Sequence, residues 1–266
     1  MRPTQRLLDT TRSFHLLSKA TGTNDRRALH FPVIAPEYVV QLGIQQQFDA
    51  ARWMQFPFAH LNLRQNPFGA VTPKQQGQLA VVDIDEHIEY LEKPGRVLQF
   101  VGAHGRGKTT HLLAINQRLE TAWYFRASRQ EDSLEVPDRA VIIADEVQFL
   151  SRRQQRGLFR PDRSYVVSTH DALDGLYEER GLQWKTIELT GLPPDKLVTI
   201  ADRRIEAVRR ESGPIPQLTK DAADALIEYH GDDLRSIEEH LYDVFQQLET
   251  IGDVGVDDLT EPPIMD

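Results

Sequence analysis

The chain has 266 residues, with 40 acidic side chains against 31 basic for a formal charge of −9, and no cysteine. That length carries one sizeable core plus a smaller satellite domain. The missing thiols exclude a disulfide framework and thiolate metal sites, and no uninterrupted apolar run approaches the ~20 residues that span a bilayer. The charge balance argues against an overall basic nucleic-acid binder, leaves room for a local basic patch, and fits a soluble protein of a reducing, cytoplasmic compartment.

Charge is unevenly spread: residues 1–66 carry 8 Lys/Arg against 4 Asp/Glu, while 67–266 carry 23 against 36. Residues 2–19 are basic and hydroxyl-rich with Asp9 as their single acid, a faint echo of an organellar transit peptide. Residues 1–66 read as an N-terminal arm interrupted by Pro32, Pro36 and Pro57. From about Pro36 to Met54, the apolar Val39, Val40, Leu42, Phe48, Ala51 and Trp53 outline a loose helix. The aromatics Phe56, Phe58 and Phe68 either dock this arm on the core or present it to a partner.

Asn66-Pro67-Phe68-Gly69 makes a turn leading into a helix expected from about Thr72 to Leu91, which Pro94-Gly95 ends. The next stretch, Val97 to Thr110, reads VLQFVGAHGRGKTT. A short apolar run, a glycine-rich loop and Lys108-Thr109 opening a helical pattern match GxxxxGK[ST] in a strand-to-helix setting. Glycines let successive backbone N–H groups turn inward on a polyphosphate at the positive end of a helix. The expected cradle is Gly102, Ala103, His104, Gly105, Arg106, Gly107, Lys108, Thr109 and Thr110. Lys108 brings a point charge to the β- and γ-phosphates of ATP, and the Thr109 hydroxyl can ligate Mg²⁺.

From there strand and helix alternate, with strands expected near 96–101, 122–127, 140–145, 164–168 and 184–189, and helices near 108–120, 147–159 and 171–180. Runs such as Val141-Ile142-Ile143-Ala144 and Tyr165-Val166-Val167 are apolar throughout, which suits parallel strands buried on both faces. The expectation is an α/β nucleotide-binding domain over 67–191. Its third strand ends in Asp145-Glu146, two carboxylates beside the phosphate loop. Asp145 would hold Mg²⁺, directly or through water, and Glu146 would act as general base on the attacking water; the plainer alternative is a capping acid pair at a strand-to-helix turn.

After Gly191-Leu192-Pro193-Pro194 only helical patterns remain, a small lid over 192–250. Pro194 suits a first turn, followed by the apolar face of Leu197, Ile200, Ala201, Ile205 and Val208. Thr219 caps a second helix that ends at Gly231, and Asp232 or Asp233 caps a third carrying Leu234, Ile237, Leu241, Val244, Phe245 and Leu248. Residues 251–266 read as an acidic, loose tail.

With these motifs in order, residues 67 to 250 resemble the AAA+ branch of P-loop ATPases. GRGKTTHLLAI (105–115), DEVQFL (145–150) and LRSIEEHL (234–241) are similar to the replication-initiator and helicase-loader group, and NPFG (66–69) to ATPases of transposition and secretion systems. The resemblance implies an ATP- and Mg²⁺-dependent hydrolase built on a parallel five-stranded sheet with an all-helical lid. It implies a polar sensor within Ser168-Thr169-His170, where we take Thr169; a hydroxyl or imidazole there would bond the water or the γ-phosphate. Arg235 matches the second sensor, and Arg180, the basic residue between His170 and Lys185, takes the place of an arginine finger given to a neighbouring subunit. A homo-oligomer in the ATP state and a partner protein follow from the same resemblance. About sixteen residues follow the last lid helix. The initiators' helix-turn-helix is therefore not matched, and no insertion resembles a remodelling pore loop.

Arg152, Arg153, Arg156 and Arg160, with Arg163 close behind, would share one face of the helix after the carboxylates. The face is either a DNA phosphate track or a solvated surface paired with the acidic body. Two other functions stay open: a P-loop kinase passing the γ-phosphate to a small acceptor, and a non-hydrolysing nucleotide-gated scaffold holding its partner by the N-terminal aromatics.

Overall fold

The computed structural model describes residues 57–129 and 134–259, all within one compact unit, Arg52–Asp266. The basic stretch 2–19, the helix expected over 36–54, Phe56 and the end of the acidic tail lie outside the described residues.

The helical and strand elements, numbered in chain order, are α1 (Pro73–Gln78), α2 (Asp85–Leu91), β1 (Arg96–Val101), α3 (Lys108–Arg118), β2 (Trp123–Arg126), β3 (Val141–Asp145), α4 (Arg152–Leu158), β4 (Ser164–Thr169), α5 (Asp174–Glu179), β5 (Gln183–Glu188), α6 (Pro194–Ala207), β6 (Gln217–Leu218), α7 (Lys220–His230), α8 (Leu234–Gln247) and β7 (Asp253–Val254). Strands β1 to β5 form a wholly parallel five-stranded sheet in the order β2-β3-β4-β1-β5. Successive strand side chains point to opposite faces. Ile142, Ala144, Tyr165 and Val167 therefore pack into one core. Ile143, Val166, Leu98 and Phe100 pack into the other, against Leu112 and Ile115 of α3. An apolar run with no alternation is what a sheet covered on both faces needs.

Two expected helices are interrupted. The helix expected over 72–91 is two: Thr72 and Gln75 form a capping box at the start of α1. The Val81-Val82-Asp83-Ile84 stretch favours extended backbone and precedes α2, where the Asp83 carboxylate accepts the Asp85 N–H at 3.3 Å. Gly77 faces α3 closely: a Cβ there would lie 2.9 Å from the Leu113 carbonyl oxygen. The helix expected over 147–159 is a 3₁₀ turn, Val147–Phe149, followed by α4, which starts at the Ser151–Gln154 capping box. Arg160 lies beyond the end of α4, so the arginines do not share one continuous helix face.

The lid packs α6, α7 and α8 around Leu197, Ala201, Leu226, Ile237, Leu241 and Phe245. Asp233, not Asp232, caps α8, accepting the N–H groups of Arg235 at 3.0 Å and Ser236 at 3.4 Å. The helices are joined by a short parallel ladder that pairs Leu218 with Val254. That ladder corrects the expectation of a loose chain from Ile251: residues 253–258 form β7 and a 3₁₀ turn, with Val254 fully buried.

Residues 57–69 dock on the lid. Phe58, Leu61, Leu63 and Phe68 belong to its core, and each such side chain fully buried contributes about 1.5–3 kcal/mol. Arg204 fixes the segment further, donating to the Pro67 and Gly69 carbonyls at 3.0 Å each and to Glu238 at 3.0 Å. Among the described residues no helix is long and apolar enough to cross a membrane.

Candidate nucleotide site

The loop between β1 and α3 bends through two left-handed glycines, Gly105 at φ +74° and Gly107 at φ +78°. These φ values favour glycine, and nothing lies within 4 Å of where a Gly107 Cβ would stand. The backbone so shaped ends at the N-terminus of α3, where unsatisfied N–H groups and the helix dipole favour an anion. Lys108 is buried, and its Nζ donates to the carbonyls of Gly102 and Ala103, 2.7 Å each. Burial pulls its pKa below the ordinary lysine value, against the opposing charges of Asp145 and Glu146.

The sheet order places β3 beside β4, and the end of β3 faces the loop through one hydrogen bond: the Thr109 hydroxyl donates to Asp145 Oδ2 at 2.9 Å. Asp145 is fully buried and accepts two more, from Tyr124 at 3.1 Å and from Ser168 Oγ at 2.5 Å. Burial, and next the Asp145 charge, push the Tyr124 phenol well above its usual range, so it stays a donor. A hydroxyl and a buried carboxylate 2.9 Å apart are the hard oxygen donors that magnesium takes. The chemistry of these residues fits that cation, and Thr109 and Asp145 would be its ligands.

Glu146 adopts φ +59°, an uncommon left-handed conformation for a side chain of this size. Such strain costs about 1–3 kcal/mol and persists where surrounding bonds impose it. Here its N–H donates to Ser168 Oγ at 2.7 Å, and its carboxylate accepts from Arg126 Nε at 3.0 Å. One serine hydroxyl thus ties both carboxylate residues together.

The sequence-expected sensors fall in different places. Thr169 is buried and its hydroxyl donates to the Asp171 carbonyl at 2.9 Å; its neighbour Ser168 is the hydroxyl bonded to Asp145 and to the Glu146 N–H. His170 packs edge-on to His104 of the loop, ring centres 4.4 Å apart. Its Nε2 is buried without a partner among the described residues. Burial, then Lys108 and His104, lower its pKa and keep it neutral. Arg180 caps α5 and donates from Nε to the Phe159 carbonyl at 3.0 Å. The Arg235 side chain is 79% exposed, with its Nε 3.7 Å from Glu239 rather than at the loop. The lid nevertheless reaches the loop through its backbone: the Leu234 N–H donates to the Gly105 carbonyl at 3.2 Å. Asp232 pairs with Arg106 and accepts the Gly191 N–H at 2.6 Å, while a Cβ at Gly105 would overlap the Asp233 carboxylate. Thr110 accepts from Gln76 of α1 at 3.0 Å.

Sequence reasoning missed Arg126, Tyr124 and the Asp232 contact. Strand register carries the first two: β2 pairs in parallel with β3, setting Arg126 opposite Asp145.

Parallel strands in the order 2-3-4-1-5, a glycine-bent loop after β1, paired carboxylates after β3 and a helical lid agree with the fold that the resemblance to AAA+ P-loop ATPases implies. No protein-family model matches the chain, and no curated protein does. Among solved structures it is similar to a DNA replication initiation factor, at 16% identity and TM-score 0.43 over 64% of this chain and 64% of that one. It is also similar to NtrX from Brucella abortus in complex with ATP, at 12% identity and TM-score 0.45 over 86% of this chain and 61% of that one. A third is Cdc6p from Pyrobaculum aerophilum, at 13% identity and TM-score 0.44 over 67% of this chain and 64% of that one. The chain spans less than two thirds of the length of each.

Proposed function

We propose that this protein binds ATP with magnesium and hydrolyses it, as a cytoplasmic AAA+ module that assembles through its nucleotide interfaces and switches a partner protein in DNA replication, transposition or repair. The observation that carries the reading is the hydrogen-bonded chain Thr109–Asp145–Ser168–Glu146, which joins the phosphate loop to the two carboxylates.

The loop amides from Gly102 to Thr110 take the phosphates, and Lys108 exchanges its own loop's carbonyls for β- and γ-phosphate oxygens. Thr109 and Asp145 would hold magnesium, which would supply charge neutralisation on the phosphate oxygens. Glu146 accepts the proton of the attacking water at its carboxylate once that carboxylate is turned from Arg126. Thr169, at the end of β4, would serve as the first sensor by turning its hydroxyl from the Asp171 carbonyl, while Ser168 holds the two carboxylate residues in place. Arg235 serves as the second by swinging in from Glu239, which the direct contact between the lid and the loop makes a short path. Arg180 from one subunit would complete its neighbour's site, and exposed arginines after β3 would meet DNA.

The scaffold that grips a partner through N-terminal aromatics loses support, because Phe58 and Phe68 are buried in the lid core. Replacing Glu146 by glutamine tests hydrolysis directly. ATP affinity should persist while turnover falls by about 10²- to 10⁴-fold; unchanged turnover removes Glu146 from the mechanism.

A further inference from the structure

The arginines after β3 separate by what they touch. Arg156 faces Glu179 at 3.2 Å, and Arg163 is buried against Asp162 and Asp138 at 3.2 and 3.5 Å. These two are structural. Arg153 makes no ion pair among the described residues, and Arg160 makes none although its charge acts on nearby Asp162. With Arg129, just beyond β2, they line a cavity of about 1240 Å³ whose far wall includes His104 of the phosphate loop and His170.

Three features define what that cavity takes. First, three guanidiniums line the cavity and no described lining residue carries a carboxylate, Asp162 being the nearby acid that feels the Arg160 charge; an excess of guanidiniums concentrates an anion. Second, the Arg129 guanidinium lies over the Phe149 ring, 5.2 Å from its centre. A guanidinium in cation–π contact with an aromatic ring offers flat surfaces to another planar group. Third, Gln148 lines the cavity with both amide atoms buried and without a partner among the described residues. A buried amide left so is destabilising unless a ligand supplies a matching acceptor and donor, which a base edge does. The volume exceeds the roughly 300–1,000 Å³ of sites that enclose one small molecule.

We propose that this cavity binds single-stranded nucleic acid, with Arg129, Arg153 and Arg160 on backbone phosphates, a base on the Arg129–Phe149 stack and a base edge on Gln148. An acidic peptide would satisfy the guanidiniums but offers no run of planar groups, and a rigid duplex cannot splay its bases into a concavity. The proposal deepens the nucleic-acid part of the reading above and rests on it, but it does not rest on ATP hydrolysis.

The test is anisotropy of a fluorescein-labelled oligothymidylate of about 12 nucleotides titrated with the whole chain, without nucleotide. Three phosphate contacts predict a slope of about −2 in log affinity against log salt, near 20-fold weakening between about 50 and about 200 mM salt. Arg153→Gln and Arg160→Gln should each lower that slope by about 0.7. Arg118→Gln, at an exposed arginine outside the cavity, should leave it unchanged. Polyglutamate or duplex competing as well as the free strand, no saturable binding at the lower salt, or equal effects from Arg118→Gln and Arg153→Gln would each overturn the proposal. Labelled ATP binding measured on the same variants should match the wild type, so failure of the nucleotide reading shows separately.

Discussion

The Nε of Arg126 donates to Oε2 of Glu146 at 3.0 Å, joining the end of β2 to the carboxylate expected to activate water. On the proposed mechanism a carboxylate held by a guanidinium is turned from the water it would deprotonate, so the pair would restrain turnover. The Arg126 side chain is 60% exposed and that of Glu146 13%, so solvent screens the pair from the arginine side and it contributes about 1 kcal/mol at most. Arg126→Gln should therefore raise the steady-state rate about 1.5- to 5-fold at unchanged ATP affinity. Moderate salt, by screening the pair, should raise the wild-type rate but not the variant's. A slower variant would show that Arg126 positions Glu146 for catalysis.

Two neighbouring hydroxyls make unequal contributions. Ser168 joins Asp145 to the Glu146 N–H, whereas Thr169 bonds the Asp171 carbonyl alone. Ser168→Ala leaves a buried carboxylate oxygen and a strained residue with fewer partners, a loss of about 1–3 kcal/mol in urea unfolding together with weakened magnesium dependence of hydrolysis. Thr169→Ala should cost about 1 kcal/mol or less and leave that dependence intact. The reverse order would restore Thr169 as the sensing hydroxyl.

Stability should fall on mild acidification. The His111 ring packs on Phe100 with centres 5.0 Å apart, and its pKa lies below 6.5, chiefly through burial, with Lys196 and His87 adding to the effect and the Gly107 carbonyl opposing it. His87, His170 and His230 are lowered as well, each first by burial. Below the unfolded value of 6.5 the unfolded chain binds protons that the folded sites refuse, so unfolding becomes easier as pH drops through that window. Urea midpoints measured from about pH 7.5 to about pH 5 should decline, and His111→Gln should lessen the decline. A pH-independent difference between the two proteins would contradict this.

The sequence made legible what depends on local spacing. The loop from Gly102 to Thr110, the acids Asp145 and Glu146, the five strands and the stripe of α8 all follow from short patterns. What it hid depends on register and tertiary packing. Arg126 and Tyr124 lie some twenty residues before the carboxylates and meet them only through strand pairing. Whether Ser168 or Thr169 faces β3 is a matter of which side of β4 each occupies. Val81-Val82-Asp83-Ile84 is apolar enough to pass for helix, yet its branched side chains disfavour one and the stretch is irregular between α1 and α2. Phe58 and Phe68 gave no sign of whether they face the lid or a partner, because burial against α6 and α8 is decided far along the chain.

Equilibrium binding of labelled ATP in the presence of magnesium, to the wild type and to Lys108→Ala, tests the central claim most directly. A lysine making charge-assisted bonds to phosphate predicts tight binding by the wild type and affinity about 10- to 150-fold weaker in the variant. Equal affinity in the two proteins, or no retention of ATP by either, would contradict it.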